Sequence, residues 1–293
     1  MLNYLLTIEI PLDPNLFKIA GLEVTWHGLF SALGVVAGVV VAAFFARRAG
    51  FSEDTIYNIA LALVIGGIIG ARGLYVIEHW DRFEDDLGDI FSINAGGISI
   101  YGALIGGTLG AAVYAFWRKV SNKWKVADIA ALGTIIGMAV GRIGDLINGE
   151  HWSEPTSLPW GVRYTDADSL ANRNPLGANL TTHPVVGYEL LADLAIFLVA
   201  LLIYRRTQRP GFTFLSWVFL YGAMRLPMSF LRLDDIVWAG LRTAQIIAII
   251  TMALALLAAI YLIVSPVPAG PTRAERRRLA RAERRRLLRP RKS

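Results

Sequence analysis

The chain has 293 residues, of which 55% are hydrophobic and only 18% charged, with a mean hydropathy of +0.48. That composition excludes an ordinary water-soluble domain and points to a protein that lives in a bilayer. Cysteine is absent, which excludes a disulfide framework, a thiolate metal site and a cysteine nucleophile, so a thiol in the chemistry must come from a substrate. The net charge of +6 belongs to the terminal segment TRAERRRLARAERRRLLRPRKS and does not mark a nucleic-acid-binding domain.

The N-terminal segment MLNYLLTIEIPLDPNLFKIAG lacks a basic n-region and a small-residue cleavage site, so no removable signal peptide is expected there. Seven apolar stretches follow, at about residues 26–45, 56–77, 96–117, 126–147, 186–204, 212–231 and 243–264. About 20 apolar residues cross ~30 Å of hydrocarbon as helix. The predicted fold class is therefore all-α, a polytopic membrane protein of about seven transmembrane helices. Residues 1–265 form the membrane domain, with an outer cap over 148–185, and residues 266–293 form a basic tail.

Alternate segments hold Arg47 and Arg48; Arg118, Lys119, Lys123 and Lys125; Arg205, Arg206 and Arg209; and the tail. The other set holds only Lys18, Arg82, Arg163, Arg173, Arg232 and Arg242, beside the acidic stretch WDRFEDDLGD. The positive-inside rule places the C-terminus in the cytoplasm and the N-terminus outside. As a helix, the tail would lie on anionic inner-leaflet lipid.

Three arginines, Arg72, Arg142 and Arg225, lie within the apolar runs. An ionised side chain there costs about 2.5–3.5 kcal/mol even on the lenient insertion scale, and marks a functional interior or a partner. At 1.5 Å per residue, all three sit roughly 9–10 Å below the outer end of their spans. Tyr101 lies near that depth on the third span, and His27 and Glu189 stand at the outer starts of the first and fifth. This is the phosphate and glycerol layer of an outer-leaflet phospholipid, and guanidinium groups grip phosphate oxygens bidentately. Arg72 is expected to matter less, because helix–helix pairing accounts for it.

Glycines recur every fourth position: Gly66 and Gly70; Gly102, Gly106 and Gly110; Gly133, Gly137 and Gly141. Small residues so spaced let helices approach closely in lipid. The segment GRIGDLINGEHW carries the densest local chemistry. Arg142 and Asp145 share a helix face at i,i+3, and Asn148, Gly149 and Glu150 leave the helix at headgroup level.

GRIGDLINGE resembles the signature segment of the bacterial phosphatidylglycerol–prolipoprotein diacylglyceryl transferases, close to G-R-x-G-N-x-x-N-x-E followed by a glycine. TWHGLFSALG, GARGLYV, GGISIYGALIGG, THPVVGYELL, LYGAMRLPMSFLR and LRTAQII resemble the family's other spans in the same order. The similarity runs to about Val264. The resemblance implies transfer of the diacylglyceryl group of phosphatidylglycerol to the lipobox cysteine of a prolipoprotein signal peptide, in the bacterial cytoplasmic membrane. It also implies that Arg142, Gly144, Asn148 and Glu150 match signature residues, that Arg225 matches the functional arginine of the sixth span, and that His183, Pro184, Tyr188 and Glu189 match the fifth-span motif.

Five positions depart from the pattern. Asp145 stands for asparagine, Ser153 for glycine, Tyr101 for the third-span histidine, His27 for an aromatic residue that is often tyrosine, and Ser229 for glutamate. A phenol near pKa ~10 is a poorer base at neutral pH than an imidazole near ~6.5, so the base is expected at His27 or Tyr101. Arg142 and Arg225 are expected to take the phosphate. Glu150, Asn148 and Asp145 would shape the headgroup pocket, with His183, Tyr188 and Glu189 also in substrate binding. No cofactor, metal or nucleic-acid partner is implied. A catalytically silent phospholipid-binding or lipid-moving protein is the alternative reading. A transporter is disfavoured, because the chain shows no internal repeat and its polar layer is off-centre.

Overall fold

In hydrocarbon every backbone amide must be satisfied within its own segment, so the apolar runs become helices. The computed structural model describes residues 7–19, 22–84, 86–91 and 97–265. Its seven helices are α1 (Trp26–Arg48), α2 (Glu53–Glu78), α3 (Ile100–Trp117), α4 (Lys123–Asn148), α5 (Val185–Arg206), α6 (Phe212–Met228) and α7 (Thr243–Val264). Their starts are chemically marked. Thr25 accepts from the Gly28 amide ahead of α1, and Ser52 from the Thr55 amide ahead of α2. Helix α4 stops at Gly149, whose φ of 71° suits a residue without Cβ.

Six helices are long and apolar enough to cross a membrane, and α3 is shorter. The third span was expected from residue 96, yet α3 begins at Ile100. Residues 97–99 spend their backbone groups on α2 instead: Arg72 donates to the Gly97 carbonyl and the Ser99 amide donates to Ala71. The basic tail lies outside the described residues.

Among the described residues six short strands, unforeseen in an all-helical reading, tie the connections together at one end of the bundle. Strand β1 (Ile8–Ile10) pairs in parallel with β4 (Val162–Tyr164), joining the N-terminal segment to the cap. Strands β2 (Asn15–Ile19) and β3 (Leu22–Thr25) form a hairpin into α1, and β5 (Ile236–Trp238) with β6 (Leu241–Arg242) forms another into α7. An isolated bridge joins Ser153 to Arg232, so the cap and the connection after α6 also meet. The N-terminal segment, the cap and the α6–α7 connection thus share one face, as the even number of helices between them (α1–α4, then α5 and α6) requires.

Two glycine-lined seams set the packing. A Cβ on Gly70 would stand 2.3 Å from the Gly102 carbonyl oxygen, so α2 and α3 touch backbone to backbone. Helices α1 and α4 meet the same way through Gly34, Gly38, Gly133 and Gly137. Gly141, counted in the stripe by its spacing, points into open space. The main apolar core joins Ala42, Phe45, Ala46, Ile56, Ile129, Leu132, Ile196 and Ala200. The buried Asp128 carboxylate accepts the Gly211 and Phe214 amides at 2.8 and 3.0 Å, satisfying donors left open at the start of α6.

Candidate active site

Glu189, in the second turn of α5, is fully buried and stands among three guanidinium groups. Its Oε2 is 3.0 Å from Arg142 Nη2, its Oε1 pairs with Arg225 Nη1, and Arg232 Nη1 lies 3.7 Å from Oε1. Arg232 also reaches Asp234 Oδ2 at 3.3 Å through Nε. A buried charge persists only when paired, and here three guanidinium groups meet at Glu189, with Asp145 and Asp234 as further partners of Arg142 and Arg232. Guanidinium forks also suit the oxygens of a phosphate.

One turn inward on the same helix, Asp193 is fully buried, and neither of its carboxylate oxygens has a hydrogen-bond partner. It lies within electrostatic range of Arg142 and Glu189, as does Tyr221 of α6.

A second line of contacts leads from Arg142 to α1. Arg142 Nη1 donates to Asp145 Oδ2 at 3.1 Å, and Asp145 Oδ1 is 2.6 Å from His27 Nδ1. The His27 amide donates to Asn148 Oδ1 at 3.3 Å. Gly144 permits this approach, since a Cβ there would stand 2.7 Å from the Trp26 carbonyl and 2.8 Å from His27 Cα. The carboxylate orients the imidazole through Nδ1 and leaves Nε2 to accept a proton. The His27 side chain is 48% exposed, against 11% for Asp145, so one side of this pair faces outward.

Comparison with known proteins identifies the family of the chain as a whole. A family model described as prolipoprotein diacylglyceryl transferase matches residues 14–261. The chain belongs to this family. A phosphatidylglycerol–prolipoprotein diacylglyceryl transferase of Clostridioides difficile (strain 630) is 32% identical over 251 residues, covering 86% of this chain and 96% of the relative. Proteins of the same name from Trichormus variabilis and Dehalococcoides mccartyi (strain CBDB1) are 33% and 35% identical, covering 87% and 86% of this chain and 92% and 95% of theirs.

Within this diacylglyceryl transferase the two departures His27 and Asp145 are bonded to each other. Tyr101 stands apart: it is 40% exposed on α3 and makes no hydrogen bond or ion pair among the described residues. Ser229, where the family pattern has glutamate, is buried and donates to the Leu226 carbonyl at 2.7 Å. Ser153 is buried beside its bridge partner Arg232.

Of the residues expected in the site, Arg142, Arg225, Glu189, Asp145, Asn148 and His27 come together. Glu150 follows at the rim, where burial raises its carboxyl above the usual range. His183 of the cap and Tyr188 in the first turn of α5 form a neighbouring group: Trp160 Nε1 donates to the Tyr188 hydroxyl at 2.7 Å, and His183 Nδ1 lies 3.5 Å from the same oxygen. Arg72 does not join the cluster, and the hydrogen bonds described for it go to backbone carbonyls of the α2–α3 connection. It donates to the carbonyls of Asp89, Ile90 and Gly97 at 2.7–2.8 Å and staples the α2–α3 connection.

Four residues escaped the sequence reading. Arg232 looked like an ordinary loop charge. His151 hid behind its neighbour Glu150, Asp193 was a single acid in an apolar span, and Tyr221 was one of ten tyrosines. Asp193 carried a usable signal, lying four residues after Glu189 on one helix face. Outside the cluster, the carboxylates of Asp13 in the N-terminal segment and of Asp166 and Asp168 in the cap lie within 4.8 Å of one another.

Beside Arg232 a cavity of about 320 Å³ opens, lined in part by Glu150, His151, Trp152, Arg173 and Asp234. His151 is exposed on one side, yet loss of solvent around its ring, and then the charges of Arg232 and Arg142, push its imidazole down to about 3. It is therefore neutral at physiological pH.

Proposed function

We propose that the protein transfers the diacylglyceryl group of phosphatidylglycerol to the lipobox cysteine of a prolipoprotein, the first step of lipoprotein maturation. The names of its relatives support this substrate pair. The observation that carries the reading is the three-guanidinium cluster on Glu189 beside an outward-facing His27–Asp145 pair.

Arg142 and Arg225 take the lipid phosphate and stabilise charge growing on its oxygen as the leaving bond stretches. His27 Nε2 accepts the thiol proton, with Asp145 orienting the ring. The thiolate sulfur attacks the glyceryl carbon, a C–S bond forms, and the carbon–oxygen bond to phosphate breaks. Glycerol phosphate leaves with the bonding pair on oxygen. Glu150 and Asn148 border the headgroup. His183 and Tyr188 face the peptide side of the cap, and Tyr101 is a secondary site for substrate contact from α3.

The assay combines purified protein, phosphatidylglycerol and a lipobox peptide, and follows mass gain on the peptide cysteine together with glycerol phosphate release. Both are expected. Lipid binding without peptide alkylation would replace this reading with that of a phospholipid-binding or lipid-moving protein.

The site end of the bundle is assigned to the outer side of the bacterial cytoplasmic membrane, with the basic tail on anionic inner-leaflet lipid, in keeping with the basic-residue bias. Single cysteines at Ser157 and Ser293 test this in a chain that has none of its own. A membrane-impermeant thiol reagent on intact cells should label position 157, and labelling of position 293 alone would reverse the assignment.

A further inference from the structure

We infer that the cavity beside Arg232 is a subsite for the phosphoglycerol leaving group and that Arg173 reads this headgroup, an inference that rests on the reaction proposed above. The cavity, about 320 Å³, lies at the lower end of the roughly 300–1,000 Å³ of small-molecule pockets, which suits a small polar fragment and not a diacyl lipid.

Arg232 connects the cavity to the reacting centre. Its guanidinium stands 3.7 Å from Glu189 on one side and 3.3 Å from Asp234 on the other, and it lines the cavity wall. Its Nε is buried and faces Asp234 Oδ2 at 3.3 Å without an aligned hydrogen bond, so Asp234 holds the guanidinium at the cavity wall. Arg173 lies on the same lining, exposed, and makes no hydrogen bond or ion pair among the described residues.

The remaining wall complements a phosphorylated polyol. Phosphate oxygens call for cationic donors, which Arg232 and Arg173 provide; hydroxyl groups call for acceptors, which the Glu150 and Asp234 carboxylates provide. Trp152 is held in place by donating its indole N–H to the Leu170 carbonyl at 3.0 Å and presents an apolar surface to the carbon backbone. As the carbon–oxygen bond breaks, the phosphate passes from Arg142 and Arg225 to Arg232, and then past Arg173 to water. Arg173 thus acts on headgroup recognition and release rather than on the reacting carbon.

The test uses the full-length protein in the peptide transfer assay, with Arg173→Glu and Arg173→Lys. Glycerol 1-phosphate is added as product inhibitor, and phosphatidic acid is offered as a lipid without the second glycerol. Arg173→Glu should raise the inhibition constant of glycerol 1-phosphate about tenfold and lower the kcat/KM preference for phosphatidylglycerol over phosphatidic acid by a similar factor. Arg173→Lys, which keeps the charge, should recover most of both. Because Arg173 is exposed and unpaired, a folding defect is not expected, and an unchanged unfolding temperature checks this. An unchanged inhibition constant together with unchanged lipid preference overturns the inference while leaving the transferase reading intact. If the wild-type protein transfers nothing, the reaction itself is wrong. Calorimetric titration with glycerol 1-phosphate then decides the cavity separately: saturable binding weakened by Arg173→Glu upholds the subsite, and no binding overturns it.

Discussion

Replacing Glu189 by glutamine keeps the volume of the side chain and removes the one charge on which three arginines converge. The carboxylate now offers Oε2 to Arg142 at 3.0 Å and Oε1 to Arg225, with Arg232 at 3.7 Å. Glutamine retains one acceptor oxygen, and its NH2 must face a guanidinium, donor against donor. Unit charges at 4 Å and an effective dielectric of 20 attract by about 4 kcal/mol, and breaking a buried pair costs about 3–5 kcal/mol. With one acceptor kept, the lower end applies, about 3 kcal/mol. At ~2 °C per kcal/mol the unfolding temperature in detergent falls by about 6 °C. Transfer falls by about 100-fold if the same energy is lost from orientation in the transition state, at 1.36 kcal/mol per tenfold. Adding Arg232→Met removes one of the cations facing the glutamine but also unpairs Asp234, so the double variant should regain only a small part of the thermal loss and little of the activity. A Glu189→Gln protein with wild-type unfolding temperature and turnover would refute the central role given to this carboxylate.

The other expectations concern the phosphate grip, the proton and pH. Arg142→Ala or Arg225→Ala should reduce peptide transfer by more than about 1,000-fold, with lysine recovering only part because it lacks the planar fork; full activity in Arg142→Ala would mean that the lipid binds elsewhere. His27→Phe should lower kcat more than Tyr101→Phe, and Asp145→Asn should lower it by about 10–100-fold through loss of ring orientation; the reverse order for His27 and Tyr101 would move the proton to α3. His151, held near 3 in the fold against about 6.5 when unfolded, contributes stability that is full above 6.5 and is lost as pH falls toward 3. Thermal unfolding between pH 8 and 4 should therefore show an acid-side decline that His151→Gln flattens.

The spans were legible because length and hydropathy act locally, and α1, α4, α6 and α7 begin or end within a few residues of expectation. The α2–α3 seam was legible from its glycine spacing. The α1–α4 seam was only half so, because Gly34 and Gly38 reveal their role only when Gly133 and Gly137 face them. The strands carry too few residues to have a period of their own; Ile8–Ile10 is extended because Val162–Tyr164 pairs with it. At the site, the intramembrane cost of charge exposed Arg142 and Arg225, whereas Arg232 enters from a loop where an arginine costs nothing. The His27–Asp145 bond joins positions 118 apart, and no spacing rule spans such a distance. Asp128 was invisible for the same reason, since its partners are backbone amides of another helix.

The arginine cluster also bears on how the protein is made. Arg142 finds Asp145 within its own helix, so α4 can enter the membrane with its charge partly answered. Glu189 and Asp193 have no partner within α5, and Arg225 has none among the ion pairs of α6. Each such charge opposes entry into hydrocarbon by about 2.5–3.5 kcal/mol at the centre of a helix. Helices α5 and α6 are apolar enough to cross alone, but pairing with α4 and with each other answers these charges, which favours the three consecutive segments packing together early. A chain halted between α5 and α6 would leave Glu189 served by Arg142 alone, a half-built layer that insertion and quality-control machinery can recognise by its unanswered charge.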